Sequence, residues 1–554
     1  MSVLYSHHIF FFPFKWEKID LKGESFENRT SIEPFRKALK NDTNWKRLNP
    51  FKIDNLSHYN QFNYFHDFVR EVLYDMEKSD QETSDLIHSP NNADFLDHYA
   101  FKLPEEGQSN YVIQIESEEK SAPLTLEIEN IVLQVYKTGV GVISFHLNNR
   151  TYSHPDTILK INQYGRRLYP PFFSMPPDTV GTPNYLNNNQ FSMQFKATQG
   201  IEIAHAISLE LGKKKFSDDF SKFSDYENFK NRPFQLPNFI SGLFKKGFFN
   251  SHSAAFQITP VLDDRMFVMS WFGDNYTAQR LSRKVKGQYA YENDNWWYKY
   301  LFVDIGSKSC ANDTMSAELL RGATYGRWTD YGTLFGISRY SFVCLTPDLN
   351  SLKKNNAEFI VTHIQTIYYK MVELVLLQRA CLLRFSNEIT HISSMIQKDD
   401  PKLTENVSDM LKQYMRFVNK IYFREITAQE QGIELYNMLQ KQMDIERHVK
   451  DLDVEIQELH NYVMLKEETR RNDRLESLSW IGGIFAVVSL ILAVFGTNYF
   501  GVENGLKINP HVGGMWFTQN EDNNSVIWLG LFVIGSIFLC LGIWIWFFYK
   551  RKRS

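Results

Sequence analysis

The sequence predicts an α/β portion over residues 1–350, a long helical stalk over 351–477, and two C-terminal helices, 478–500 and 526–549, of membrane-spanning character. Three observations predict this class. Short β-branched and aromatic runs mix with helical periodicity in the first part, glycine and proline become scarce after about residue 350, and two uncharged apolar segments follow. At 554 residues the chain is long enough for more than one core, since single domains hold roughly 100 to 200 residues. Its 61 basic residues stand against 64 acidic ones, so it lacks the cationic field that holds duplex nucleic acid.

The first expected element is a β-strand over the aromatic run 10–14. Neither a basic n-region nor a small-residue cleavage site accompanies it, so 1–16 is read as fold and not as a cleaved signal. Residues 64–76 read as a helix, with Phe65, Phe68, Val69 and Val72 at helical spacing. Strands are expected at 111–115, 131–136 and 142–147, with a glycine break at Gly139 and Gly141 between the last two. Cys310, Cys344, Cys381 and Cys540 form no C-x-x-C pair and have no histidines at zinc-ligand spacing. That usage points to a reducing compartment for the soluble part.

Composition changes over 347–356, after which helix formers dominate for more than a hundred residues. One helix is expected over 357–396, ending before Asp399, Asp400 and Pro401, and another begins near Thr404. Thr427 and Glu430 stand at capping-box spacing, where hydroxyl and carboxylate satisfy otherwise unpaired backbone donors, so a helix should start there. No proline interrupts 427–500, which predicts one helix about 110 Å long. Leu435, Val449, Ile456 and Val463 alternate along it with Met438, Ile445, Leu452 and Leu459, interrupted by Gln442 and Lys466. Such a heptad seam fits a coiled coil between chains or one helix packed on its own domain.

Segments 477–502 and 526–549 carry no charge, and each meets the need for about 20 apolar residues to cross hydrocarbon. Trp480, Tyr499, Trp528, Trp544, Trp546 and Tyr549 lie where interfacial aromatic belts form. Lys466, Arg470, Arg471 and Arg474 precede the first span, Lys550, Arg551, Lys552 and Arg553 in the tail 550–554 follow the second, and the loop 501–525 has only Lys507. The positive-inside rule then places both termini in the cytoplasm and the loop outside, in the inner (plasma) membrane of a cell, with the lipid bilayer as a partner. Gly482, Ala486, Ser489, Ala493 and Gly496 recur at intervals of four and three. This small-residue stripe either lets helices pack closely or lines a narrow pore.

At the outer end of the first span stand Gly496, Thr497 and Asn498. A cytoplasmic α/β portion, a stalk helix entering a first span, a G-x-N tripeptide at its end, a short outer loop, a second span and a basic tail together resemble the CorA family of cation channels and transporters. The resemblance implies a homopentamer with first spans around a pore and Asn498 at its mouth, where an amide oxygen suits a hydrated cation. A helix C-cap is the other role open to Asn498. The family's signature has methionine where Thr497 stands, so the motif does not specify magnesium over zinc or cobalt. Glu503, Glu521 and Asp522 outnumber Lys507 in the loop and would concentrate cations around a ring.

The large aromatic N-terminal portion further resembles the CorA-like proteins found beside type III CRISPR systems. That branch implies a membrane effector in antiviral defence, gated by a cytoplasmic nucleotide second messenger, with a divalent cation such as magnesium as a possible cofactor. A constitutive or divalent-gated metal-ion transporter and a non-conducting membrane-anchored sensor are the alternatives.

Two clusters are candidate ligand sites in the soluble part. Arg166 and Arg167 lie between Tyr164 and Tyr169, where guanidinium forks suit phosphate and ring faces suit a nucleobase; an ordinary surface or interface ion pair is the alternative. Asn148, Asn149 and Arg150 follow a strand and are expected to line the same site. No Walker loop, H-E-x-x-H or G-x-S-x-G motif occurs, so an enzyme is not expected.

Overall fold

The computed structural model describes residues 3–19, 26–48, 53–74, 96–116, 122–169, 203–220, 236–245, 248, 256–261, 265–306, 308–397, 402–496, 500–502, 506–508, 535, 539 and 542. They fall into two compact units, 1–458 and 459–554.

The first unit is built on a 13-stranded sheet. Its centre is β1 (Ser6–Lys18), whose aromatic run is buried from end to end. Further strands are β2 (Trp45–Arg47), β3 (Leu96–Phe101), β4 (Ser109–Glu116), β5 (Leu124–Tyr136), β6 (Val140–Asn149), β7 (Ile203–Leu211), β8 (Lys214–Asp219), β9 (Phe256–Pro260) and β10 (Phe267–Gly273). After a small separate hairpin, β11 (Lys284–Val285) with β12 (Gln288–Tyr289), come β13 (Thr324–Tyr325), β14 (Leu334–Ile337) and β15 (Ser341–Thr346). The main order is β13-β14-β15-β10-β1-β6-β5-β4-β7-β8, antiparallel except for the parallel pair β10–β15. The three strands expected at 111–115, 131–136 and 142–147 are β4, β5 and β6.

Central strands covered on both faces read as continuous apolar runs, which is why β1 and β6 lack polar alternation. Phe10, Phe12, Phe14 and Trp16 face one layer with Ile158, Ile161 and Tyr164 of the Pro155–Gly165 helix. On the other face Phe11 stacks on Tyr369 at 5.5 Å, and the Tyr369 hydroxyl lies 3.0 Å from Ser144 Oγ. Tyr369 belongs to the Ile367–Gln397 helix. Pro13 is accommodated inside β1 because the β10 pairing ends at Phe11 and the β9 pairing starts at Phe14. Only its carbonyl is used on that side, accepting from Val261 N at 3.2 Å.

The glycine break between β5 and β6 has two causes. Gly139 turns the chain with φ +74°, and a Cβ there would meet Thr30 Cγ2 at 2.6 Å. Gly141 lies under the Phe14 ring, which a Cβ would approach to 2.3 Å.

The helical part differs from expectation in five places. The predicted helix 64–76 is two, Leu56–Tyr64 and Asp67–Tyr74, because Phe65 turns extended and buries its ring; Met76 lies outside the described residues. The 357–396 stretch breaks at Thr366 into Phe359–Gln365 and Ile367–Gln397. Leu403–Lys420 follows as predicted near Thr404, with Asp399, Asp400 and Pro401 outside the described residues.

The capping box does not form: the helix starts at Glu430, Thr427 Oγ1 accepts from Gln429 N at 3.1 Å, and Glu430 pairs with Arg327 at 3.0 Å. A cation within reach outcompetes a backbone amide for the carboxylate. The predicted helix 427–500 is also two, Glu430–Gln442 and Ile445–Gly496, broken at Asp444 with φ +60°. At 52 residues the second is about 78 Å long. Finally, the composition change near 350 is a change of secondary structure and not a boundary between compact units. Residues 351–458 belong to the first unit, and the Ile367–Gln397 helix packs on β1 and β6.

Salt bridges inside the first unit bind this helix to the sheet. Glu17 at the end of β1 takes Arg29 at 2.8 Å and Arg384 at 3.4 Å, while Arg29 also reaches Glu388. The part of the heptad seam in the first unit is occupied within one chain: Leu435, Ile445, Val449, Leu452 and Ile456 are buried, and Tyr414 Oη donates to Val449 O at 3.1 Å.

The second unit contains the rest of the Ile445–Gly496 helix and an antiparallel hairpin, β16 (Phe500–Val502) with β17 (Leu506–Ile508). No helix among the described residues is long and apolar enough to cross a membrane. The described side chains of the 480–496 stretch end at Ser489, and the second predicted segment and the basic tail lie outside the described residues apart from helical positions 535, 539 and 542.

Candidate functional site

A polar concavity of the first unit lies at one end of the sheet. The turn after β6, the starts of β4 and β5, and the 103–108 loop enclose a cavity of about 670 Å³. Asn148 and Arg150 line it with Asn110, Thr125, Glu127 and Tyr152. Asn149, expected to line the site, does not: its side chain is buried and holds the turn behind the cavity. Its Oδ1 accepts from Thr151 N at 3.1 Å and Tyr152 N at 2.8 Å, and its Nδ2 donates to Ser6 Oγ at 2.8 Å. Tyr152 is fixed in turn, since its hydroxyl accepts from Thr125 N at 3.0 Å.

Arg150 supplies the cation of this cleft, its Nε donating to Glu127 Oε2 at 3.1 Å. Asn148 Oδ1 sits 2.8 Å from His7 Nδ1, which holds the amide in one orientation. Guanidinium, amides, hydroxyls and one carboxylate together suit a polar ligand with both donors and acceptors, such as a nucleotide or a fragment of one.

The arginine pair does not join this cleft. Arg166 caps the Pro155–Gly165 helix and is buried, donating from Nη2 to Val303 O at 2.9 Å and to Gln163 Oε1 at 3.1 Å. Arg167 forms a β-bridge with Arg265. Arg166 and Arg265 approach the Tyr340 ring at 6.0 and 5.4 Å. Tyr164 is in the core and Tyr169 packs against it, so neither ring offers the base-stacking face that the sequence suggested. Alternation of neighbours along a loop says nothing of which side chains the core claims.

Of the predicted pore residues, Gly482, Ala486 and Ser489 are exposed in the single chain and Gly496 ends the helix. Thr497, Asn498, Glu503, Glu521 and Asp522 lie outside the described residues, as does the side chain of Ala493. Among the described residues no group of three or more potential metal ligands gathers.

Sequence reasoning missed a buried histidine cluster beneath the cleft. His7 and His8 open β1, and strand alternation sends them to opposite faces. His7 lies 6.1 Å from the His146 ring, and His146 packs edge-on against Tyr369 at 4.7 Å. His8 Nδ1 stands 2.7 Å from Asn162 Oδ1 and 3.2 Å from Ser270 Oγ, with Ser6 Oγ 2.8 Å from its Nε2. Burial pushes His8 down to about 3, against the raising effect of Asn162, and holds His7, His98 and His146 below the usual histidine range as well.

Serine, histidine and asparagine together suggest a nucleophile triad, but the geometry does not make one. Ser270 and Asn162 share one ring nitrogen, and Ser6, which holds the other, is fully buried with its Oγ accepting from Asn149 Nδ2, so its hydroxyl does not face a substrate as a nucleophile must. The cluster is structural. The signal that could have revealed it was the His-His pair entering an aromatic strand. Compared with models of known families, with curated proteins and with solved structures, the chain matches none.

Proposed function

We propose that this protein is a membrane-embedded, CorA-like cation channel whose folded cytoplasmic unit binds a nucleotide second messenger. The observation that carries the membrane part is the surface of the long helix. Trp480, Ile481, Ile484, Phe485, Val487 and Val488 are 40 to 66% exposed and share one broad face of about 160°, while the exposed Gly482, Gly483, Ala486 and Ser489 take the opposite side and no charge interrupts either. A helix with a broad exposed apolar face and no charge on any side calls for lipid or other helices around it, because water leaves that surface without a favourable partner. A second uncharged segment at 526–549 supplies the return crossing. The ligand part is supported by the Asn148–Arg150 cleft, a polar cavity that also contains a cation. Binding there changes conduction only if the ligand prefers one conformation over another.

The test is cation flux through the purified protein in liposomes, with and without a panel of linear and cyclic nucleotides. Nucleotide-dependent flux is expected, and Arg150→Ala should lower the apparent affinity by about one to two orders of magnitude, the worth of a charge-assisted hydrogen bond. Flux equal to that of empty vesicles under all conditions would dispose of the channel reading. Flux that ignores every nucleotide would leave a constitutive transporter.

A further inference from the structure

A second cavity lies in the first unit, where the Thr329–Tyr331 turn and β14 meet the Phe359–Gln365 and Glu430–Gln442 helices. Its volume is about 220 Å³, and its walls are Trp328, Tyr331, Phe335, Phe359, Ile360 and Gln431, with Thr333. Phe335 is buried as the floor, while Tyr331 is 77% and Phe359 52% exposed at the mouth. The Trp328 and Tyr331 rings stand 6.2 Å apart and inclined at 50°, so they form adjoining walls and do not stack on each other. The Gln431 amide is held by a hydrogen bond from its Nε2 to Tyr368 Oη.

The charges beside this cavity are mostly negative. Asp330, Glu358 and Glu430 adjoin lining residues in sequence and are exposed. The adjoining cation, Arg327, is engaged by Glu430 at 3.0 Å and Glu434 at 2.8 Å, and its guanidinium carbon lies 5.8 Å from the centre of the Trp328 ring, which already serves as a cation partner. An anion would meet apolar walls and a carboxylate rim. A metal ion or small ammonium would have to shed water against rings that cannot replace it. A cation with an apolar shell meets neither cost, because ring faces attract its charge and its methyl groups fill the cavity. The space exceeds the roughly 30 Å³ share of a water molecule and falls below the 300–1,000 Å³ typical of drug-sized sites, so the ligand is a small head group.

We infer that Trp328, Tyr331 and Phe359 form an aromatic cage for a quaternary ammonium group. The site is separate from the Asn148–Arg150 cleft and does not rest on the channel reading. Choline chloride is the probe, titrated calorimetrically into the full chain in a maltoside detergent, with 3,3-dimethylbutan-1-ol as the uncharged isostere. Choline is expected to bind about tenfold or more tightly than the alcohol. Tyr331 is exposed enough to be replaced without disturbing the fold, so Tyr331→Ala should weaken choline about fivefold or more at an unchanged melting midpoint, and Tyr331→Phe should restore it. No choline heat at tens of millimolar, equal affinity for the alcohol, or a Tyr331→Ala variant that binds like the parent would each overturn the inference.

Discussion

Neutral histidines in the centre of a sheet tie the stability of the first unit to pH. His8 is fully buried and hydrogen-bonded as a neutral ring, with its pKa held at about 3 by burial. In the unfolded chain it titrates near 6.5. Above that value both states are neutral and nothing is lost. As pH falls below 6.5 the unfolded state takes up a proton that the folded state refuses, so stability declines by up to about 1.4 kcal/mol per pH unit until His8 itself protonates. His7, His98 and His146 act in the same direction. His8→Gln keeps a hydrogen-bonding side chain and removes the proton site. The loss of unfolding free energy between pH 7.5 and 5.0, from urea titrations read by tryptophan fluorescence, should be about 2 kcal/mol smaller in this variant. An unchanged pH dependence would mean that His8 is solvated in solution.

At the scale of elements, the break at Asp444 decides how the heptad pattern is used. The residue adopts a left-handed backbone with φ +60°. Its N–H donates to Lys441 O at 3.1 Å, its carbonyl accepts from His448 N at 3.2 Å to begin the next helix, and its carboxylate engages Arg447 and Arg339. Aspartate tolerates this conformation, whereas a β-branched side chain does not. Asp444→Val should therefore lower the unfolding free energy by roughly 1 to 2 kcal/mol, and Asp444→Gly by no more than about 0.5. If the two helices were one in solution, valine would be tolerated and glycine would be the worse substitution, an ordering that urea midpoints of the pair can reveal. Because Ile445 and Leu452 are buried in their own chain, charges there would unfold the helical layer before they touched any contact between copies.

For the whole molecule, the orientation of the chain is the property with the sharpest test. Four basic residues precede the first apolar segment and four follow the second, against Lys507 in the loop between. In a background with the four native cysteines replaced, a cysteine at Asn520 should react with a membrane-impermeant thiol reagent applied to intact cells, and one at Ser554 only after permeabilisation. The opposite labelling would reverse the topology, and with it the assignment of the folded unit to the cytoplasm. Protection of both sites in intact cells would argue against a crossing.

Periodicity and composition by themselves determined the strands β1, β4, β5 and β6, the onset of the helical part near 350, and the two uncharged segments. Each is a local property: a continuous aromatic run, a period of two, or the absence of charge leaves the backbone few alternatives. Asn148 and Arg150 were legible as polar residues at a strand end, and the structure places both on the wall of the cleft. Only the tertiary structure decided the remainder. Arg166 and Tyr164 went to the interior, Glu430 chose Arg327 over a helix cap, and the Trp328, Tyr331 and Phe359 rings met from two separate stretches of chain. Those outcomes depend on which distant groups arrive within a few ångströms, and the free energies of burial and charge pairing that settle them are absent from any local window of sequence.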